Sequence, residues 1–227
     1  MFIEPKLNKD FAHYVIRRSI IQSINKYLPG FYGIVVDLGC GNMPYRETIL
    51  SNNKVEKYIG IDWPGTSYYS NKPDFIWDGI TIPLENNSVD FVLLTEVMEH
   101  LDDPLAVVNE IYRILKPGGS LVGTTPFFWL LHEVPNDMQR LSPFGIKRIF
   151  EKTGFERHEI IGAGGWRTSL AQFITMYIGF GISKKFIQKM LKVIFYYPVL
   201  YLTRKDHEVT EFRHAGMINS ISFWAVK

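Results

Sequence analysis

The stretch I-V-V-D-L-G-C-G-N-M-P, from Ile34 to Pro44, decides the fold. Its β-branched start predicts a buried strand, and the glycines after Asp37 predict a tight turn that lets a ligand lie close to the backbone. A second strand, Tyr58 to Asp62 (Y-I-G-I-D), also ends in a carboxylate, 21 residues after Gly41. At this spacing a doubly wound sheet presents an acid to the ribose of a nucleotide. The chain is therefore predicted to bind a nucleoside.

Three further sequence motifs follow these two strands along the chain and narrow the class of ligand. They are Asp78-Gly79, F-V-L-L-T-E-V-M-E-H-L from Phe91 to Leu101, and L-K-P-G-G from Leu115 to Gly119. A dinucleotide fingerprint needs a glycine where Pro44 stands, so an NAD-dependent oxidoreductase is a minor alternative. Over about residues 30–162 the set resembles the class I S-adenosylmethionine-dependent methyltransferases, with a ubiquinone/menaquinone-methyltransferase-like domain. The resemblance implies a methyl-transferring enzyme whose cofactor is S-adenosyl-L-methionine.

Length and composition predict one ordinary globular unit. The 227 residues are 46% hydrophobic and 21% charged, with a net charge of +2, so neither disorder nor a dedicated nucleic-acid surface is expected. A single cysteine, Cys40, excludes an internal disulfide framework and is interpreted as a small residue tolerated by the glycine turn. The N-terminus does not resemble a secretory signal, so a cytoplasmic location is expected. No metal site is predicted, and the oligomeric state is left open.

Alternating strands and helices predict an α/β fold with a doubly wound, mostly parallel sheet and helices on both faces. The resemblance extends this to a seven-stranded Rossmann-like sheet whose last strand lies antiparallel at the sheet edge. Asp103-Pro104 and Ser142-Pro143 are predicted to begin helices, and Gly154 to end one. A loop begins at Trp63 and runs to Pro73. The later strands are predicted at Asp74 to Trp77, Val89 to Thr95, Ser120 to Thr124, Phe155 to Ile161 and Asn219 to Val226.

Two segments are predicted to flank this sheet within a single methyltransferase domain of residues 1–227. Residues 1–30 form a covering helix that Asp10 caps. Residues 165–210 form a helical lid or insertion before the last strand. Residues 166–205 are also interpreted as an alternative contact with a membrane surface, because a basic amphipathic helix occurs there. Its predicted apolar face consists of Phe186, Ile187, Met190, Leu191 and Ile194, with Lys185, Lys189 and Lys192 on another face.

The resemblance assigns donor-binding roles to groups at the strand ends. Asp37 would lie near the methionine ammonium, although it could instead only cap a turn. Asp62 would accept hydrogen bonds from the ribose hydroxyls, a role that a carboxylate fills twice. Trp63 would lie against the adenine, and Asp78 would accept from its amino group. The remaining positions expected to line the donor site are Gly39, Cys40, Gly41, Gly79, Thr95, Glu96, Val97 and His100.

The loop after the fifth strand carries the candidate catalytic residues. It mixes aromatic side chains with His132, Asp137 and Arg140, and titratable groups beside aromatic walls are what a general-base site requires. His132 is predicted to remove a proton, Asp137 to orient it or bind acceptor hydroxyls, and Arg140 to hold a phosphate or carboxylate. The alternative is a loop ordered by its own salt bridges. The pattern H-x-x-P-x-D-x-x-R is similar to a subgroup associated with bacterial surface-glycan and small-molecule pathways.

We expect O-methylation of a sugar, a sugar nucleotide or another small hydroxylated metabolite. One alternative is N- or C-methylation of a quinone-type or lipid-linked acceptor. Another is a donor-binding partner subunit without turnover. RNA methylation is less favoured, because no basic run with interleaved aromatic residues flanks the site.

Overall fold

Seven strands of the chain form one sheet, and their bounds fit the predicted sequence of elements. They are β1 (Gly33–Leu38), β2 (Val55–Asp62), β3 (Phe75–Ile76), β4 (Val89–Thr95), β5 (Leu115–Pro126), β6 (Arg157–Gly162) and β7 (Ser220–Val226). The structure, a computed structural model, describes residues 2, 5–64, 72–214 and 216–227. Most of the loop predicted between Trp63 and Pro73 lies outside these residues.

The strand order is β3-β2-β1-β4-β5-β7-β6, and β1 to β5 are parallel to one another. The last strand, β7, runs antiparallel as predicted, but its predicted place at the sheet edge is wrong. It pairs with β5 on one side and β6 on the other. Phe223 and Ala225 of β7 are fully buried, whereas β6 opens with Arg157, His158 and Glu159. The more polar strand occupies the edge, where charged side chains discourage further pairing.

Helices cover both faces of the sheet, which confirms the predicted Rossmann-like class. The helices are α1 (Tyr14–Tyr27), α2 (Arg46–Leu50), α3 (Pro104–Ile114), α4 (Pro143–Thr153), α5 (Trp166–Met176) and α6 (Lys185–Arg204). Successive strand residues face opposite sides, as the pleat requires. Val35 and Phe91 pack with α1 residues such as Ile24, while Val36 and Val92 pack with the α3 and α4 side.

Helix starts follow the predicted capping residues in two cases and depart from them in one. The side chain of Asp103 accepts from Leu105 N and Ala106 N at 3.0 and 3.1 Å, and Ser142 Oγ accepts from Gly145 N at 3.1 Å. Asp10 does not cap α1, which begins at Tyr14. Its carboxylate instead pairs with His13 at 2.8 Å and Arg17 at 2.5 Å. The acid thus contacts the side chains of His13 and Arg17 near the start of α1 without capping the helix.

The predicted helical insertion lies between β6 and β7, and consists of α5, a π-turn (Tyr177–Gly181) and α6. It packs on the N-terminal segment through Phe11, Val15, Ala171 and Val199. The predicted apolar face of α6 is only partly buried: Ile187 and Leu191 turn inward, whereas Phe186, Met190 and Ile194 face solvent. None of the helices in the described part of the chain is long and apolar enough to cross a bilayer.

Candidate methyl-donor and acceptor site

The glycine loop (residues 39–44) turns sharply after β1 because three of its residues take left-handed backbone conformations. Gly39, Gly41 and Met43 have φ values of 74°, 51° and 53°. A Cβ on Gly39 would lie 2.3 Å from Cγ2 of Val97, so only glycine allows this approach between the loop and the end of β4. Met43 is not a glycine, but it adopts the left-handed conformation that glycine favours.

Asp62 ties this loop to the end of β2. Its Oδ2 accepts a hydrogen bond from Gly41 N at 2.6 Å, and its Oδ1 accepts one from Trp63 N at 2.7 Å. Burial raises the pKa of Asp62, while the two N–H groups lower it. Each oxygen of a carboxylate has a second acceptor site, so the group retains capacity for two further donors. This geometry fits the ribose-binding role that the resemblance implies.

Asp37 is buried at the end of β1 with one unsatisfied oxygen. Tyr58 donates its hydroxyl hydrogen bond to Oδ2, whereas Oδ1 has no hydrogen-bond partner. Burial raises the pKa of Asp37 to about 7, against the lowering effect of the Tyr58 hydroxyl. An unpaired buried carboxylate oxygen is costly, and a cationic group would stabilise the ionised form. The orphaned oxygen therefore fits the ammonium of the implied donor.

Trp63, which follows β2, contacts the segment that follows β3. A Cβ on Gly79 would lie 2.5 Å from Cζ3 of the Trp63 ring, so the indole packs directly on this glycine. The ring is half exposed, which leaves part of it available to a ligand. Asp78 is exposed, and its Oδ1 accepts from Ile80 N and Thr81 N at 2.8 and 2.7 Å. These N–H groups, that of Ile80 first, lower the pKa of Asp78.

The end of β4 completes this edge of the sheet. Thr95 is hydrogen-bonded to the buried Tyr45 side chain, and Glu96 Oε1 accepts from Thr124 Oγ1 at 2.8 Å. Glu96 has a φ of 54°, a conformation that non-glycine residues adopt at a cost and that is common at functional sites. Burial raises the pKa of Glu96 to about 7. Burial also raises the pKa of the Cys40 thiol to about 12, which favours its interpretation as an inert small residue.

The histidine loop (residues 127–142) carries the predicted catalytic residues, and the structure brings all three together. His132 Nδ1 lies 3.2 Å from Asp137 Oδ2, and Arg140 donates to both oxygens of Asp137. The Arg140 guanidinium holds the pKa of Asp137 well below its usual range. Met138 N and Gln139 N donate to Glu99 O at 2.9 and 3.2 Å, which anchors the loop beside the turn after β4.

His100 lies on the side of the histidine loop, although the resemblance placed it among the donor-binding residues. Its Nδ1 lies 2.9 Å from Asn136 O, and its ring centroid is 4.7 Å from that of His132. Sequence reasoning also missed Tyr58 and Tyr45, whose hydroxyls contact Asp37 and Thr95. The sequence signal for Tyr58 was its hydroxyl, which opens the stretch Y-I-G-I-D; the residues between Tyr58 and Asp62 are apolar.

Comparison with known proteins finds similarity over the strands that carry this arrangement. Residues 36–123 match the family described as "Methyltransferase domain". The chain is 35% identical over 129 residues to cycloartenol-C-24-methyltransferase 1 of Oryza sativa subsp. japonica, covering 48% of this chain and 37% of that one. It is 33% identical over 142 residues to a probable S-adenosylmethionine-dependent methyltransferase of Mycolicibacterium smegmatis, covering 56% and 54%. The chain thus spans roughly a third to a half of the length of these relatives.

A solved structure agrees with the fold. A SAM-dependent methyltransferase from Archaeoglobus fulgidus superposes with a TM-score of 0.56 at 18% identity, over 90% of this chain and 91% of that one. The chain is thus similar to S-adenosylmethionine-dependent methyltransferases, and the cofactor of those enzymes is S-adenosyl-L-methionine. The Methyltransferase domain match extends from β1 to β5, the strands whose ends carry the predicted donor-site residues.

Proposed function

We propose that the protein transfers a methyl group from S-adenosyl-L-methionine to a hydroxyl oxygen of a small acceptor, such as a sugar or sugar nucleotide. The observation that carries this proposal is the His132–Asp137 pair beside the end of β4. Asp137 Oδ2 and Leu130 O both accept at His132 Nδ1, so the hydrogen resides there and Nε2 presents a lone pair. An imidazole held in this tautomer suits removal of a hydroxyl proton.

The chain contributes positioning and proton removal. When bound, the donor supplies a methyl group already activated by a positively charged sulfur. Asp37 holds its methionine ammonium and Asp62 its ribose at the strand ends, and the glycine loop keeps side chains out of the space between them. Arg140 fixes Asp137, which in turn fixes His132. These roles suit methyl transfer, because the protein lowers the barrier to this reaction mainly by aligning the donor with the acceptor.

Release of S-adenosylhomocysteine tests this function. The purified chain is incubated with the donor and a panel of sugars, sugar nucleotides and phenols, and the released product is quantified. We expect turnover with at least one hydroxylated acceptor and none without acceptor. Donor binding without turnover on any acceptor would instead indicate a partner subunit.

A second candidate function is methylation of a lipid-linked or quinone-type acceptor at nitrogen or carbon. The observation that favours it is a set of large apolar side chains that α5, the π-turn and α6 expose to solvent. Large exposed apolar surface is typical of interaction sites. Phe128, Trp166, Leu170 and Phe173 also line an apolar groove of about 480 Å³. The exposed members are Trp166, Leu170, Phe173, Tyr177, Phe180, Phe186, Met190, Val193, Ile194, Tyr197 and Tyr201.

Sedimentation with phosphatidylglycerol-containing vesicles distinguishes the candidates. Under the second candidate the wild type sediments, and replacing Phe186 and Val193 by serine reduces the bound fraction several-fold, because these side chains are 80% and 72% exposed on α6. Leu50→Ser, a change at an exposed leucine on α2, is the matched control. Absence of wild-type sedimentation would remove the membrane-surface hypothesis.

A further inference from the structure

Glu99, His100 and His132 form a cluster that the sequence analysis did not predict. Glu99 and His100 belong to the turn after β4, while His132 comes from the histidine loop. Nε2 of His100 lies 3.8 Å from Glu99 Oε1, and Nε2 of His132 lies 4.0 Å from the same oxygen. The three candidate ligand atoms all lie within 4.8 Å of one another. Two imidazoles and a carboxylate therefore converge on one small space.

Both imidazoles are held so that Nε2 faces the cluster with its lone pair. The Nδ1 of His100 donates to Asn136 O at 2.9 Å, and the Nδ1 of His132 is shared between Leu130 O and Asp137 Oδ2, each at 3.2 Å. Since these partners are acceptors only, each Nδ1 carries the hydrogen. Metal-binding histidines are typically oriented in this way, by a carbonyl or carboxylate at the second ring nitrogen.

Glu99 supplies a second, independent sign of a ligand. Its side chain is fully buried, and Oε1 has no hydrogen-bond partner, while Oε2 accepts from Thr125 Oγ1 at 3.3 Å. A buried carboxylate oxygen without a donor is costly. The unpartnered oxygen is the one nearest the two Nε2 atoms, which are themselves acceptors in these tautomers. Two imidazole nitrogens and a carboxylate oxygen thus face one another, and Glu99 Oε1 has no hydrogen-bond donor among the described residues.

We propose that Glu99 Oε1, His100 Nε2 and His132 Nε2 bind a divalent first-row transition-metal ion with at least one coordination position open. Two imidazoles and one carboxylate, with a free position, are a ligand set of catalytic zinc sites. Imidazole nitrogen also favours such ions over Mg²⁺ and Ca²⁺, which prefer oxygen ligands. Ligands at ordinary tetrahedral bond lengths lie about 3.3 Å apart. Binding therefore requires the 3.8 and 4.0 Å separations to contract by about 0.5 and about 0.7 Å.

The role of the ion rests on the proposed function. An acceptor hydroxyl in the open position would have its pKa lowered by the cation, and its proton would pass to solvent. The oxygen then forms its bond to the methyl carbon with its own electron pair, while the carbon–sulfur pair remains on sulfur as a neutral thioether. The ion would occupy the His132 lone pair, so proton removal would depend on the metal instead of on imidazole basicity.

Metal binding is measured directly on the full chain, purified without a histidine tag and stripped with chelator. Calorimetry with Zn²⁺ is expected to give one equivalent per chain, and Co²⁺ to give visible absorption typical of nitrogen and oxygen ligation. His132→Ala and Glu99→Gln should each weaken binding at least tenfold. His214→Ala, a change at an exposed histidine outside the cluster, should leave it unchanged.

Two readouts separate the possible failures. Circular dichroism and donor binding show that each variant is folded, so a loss of metal binding is attributable to the ligands. No stoichiometric binding by the wild type, or equal binding by His132→Ala, would overturn the metal site. Stoichiometric binding without turnover on any acceptor would support the site and contradict the proposed function instead.

Discussion

The proposed donor side and the proposed acceptor side of this molecule are built differently. On the proposed donor side, Asp37 and Asp62 stand at the ends of adjacent parallel strands, and backbone N–H groups fix Asp62. On the acceptor side, His132 lies on a loop and is fixed by side chains, Asp137 and Arg140. A sheet edge positions its groups through backbone pairing, whereas a loop depends on individual side-chain contacts. We therefore expect the loop to tolerate substitution more readily than the sheet edge does.

The largest expected effect is a loss of turnover while donor binding is kept. His132→Ala should lower turnover by about 10²- to 10⁴-fold, because proton removal loses either its base or its metal ligand. The affinity for S-adenosylhomocysteine should stay within about twofold of wild type, since His132 lies outside the strand ends that bind the donor. Steady-state kinetics and calorimetry measure the two quantities. Unchanged turnover would remove the histidine loop from the mechanism.

The converse change acts on the donor side. Asp62→Ala should weaken S-adenosylhomocysteine binding by about 100-fold or more, because hydrogen bonds to a charged group contribute about 1.5–3 kcal/mol each. The change also leaves Gly41 N without its acceptor. Asp102→Ala, which alters an exposed acid before α3, is the control and should bind like wild type. Equal affinity of the Asp62 and Asp102 variants in calorimetry would contradict the ribose-binding role.

A smaller effect is expected on the free energy of unfolding, from the backbone conformation of the glycine loop. Gly39→Ala should lower the free energy of unfolding by about 1–3 kcal/mol, because its left-handed φ and the 2.3 Å approach to Val97 both resist a Cβ. Gly145→Ala is the comparison, since its Cβ would meet Ser142 Oγ at an ordinary 3.6 Å within α4. That variant should be neutral or slightly stabilised. Urea titration compares both with wild type, and equal stabilities would refute the close approach.

A further expected effect is a pH dependence that originates at Asp37. Its pKa is about 7 in the folded chain against 3.8 for an ordinary carboxyl. The folded chain holds this proton to higher pH than the unfolded chain, so stability should fall as the pH rises from about 4 to about 7. Donor affinity should rise over the upper part of this range, by up to about tenfold per pH unit, and level off above it, because the ammonium pairs with the ionised carboxylate.

Asp37→Asn provides the check on this titration. The amide cannot ionise, so the pH dependence of donor affinity should flatten and the affinity at pH 8 should fall. Calorimetry between pH 5.5 and pH 8.5 on both proteins measures the two slopes. Parallel slopes would assign the effect to another group.

Local sequence patterns predicted the donor side better than they predicted long-range arrangement. The acids at the ends of β1 and β2 and the glycine loop could be recognised in short stretches of sequence. Because a parallel sheet was predicted, these groups were expected to lie close together at one edge of the sheet. The place of β7 could not, because strand order depends on pairing among distant segments and not on the pattern within Ser220–Val226. The outward turn of Phe186 on α6 also escaped prediction, since amphipathic spacing defines a face without saying what covers it.

The contacts that were missed share one cause. Tyr58 reaches Asp37 through the register of two neighbouring strands, and His132 reaches Glu99 and His100 through a loop anchored on Glu99 O. Neither relation has a fixed sequence spacing. Such pairs require the folded chain, whereas the spacing between Gly41 and Asp62 was visible in the sequence.

The central claim is that the ends of β1 to β4 bind S-adenosyl-L-methionine. Calorimetric titration of the purified chain with S-adenosylhomocysteine, with NAD as the comparison ligand, tests it most directly. We predict one site per chain for S-adenosylhomocysteine, with a rise in the thermal midpoint, and no heat with NAD. No heat and no thermal shift with S-adenosylhomocysteine would contradict the account.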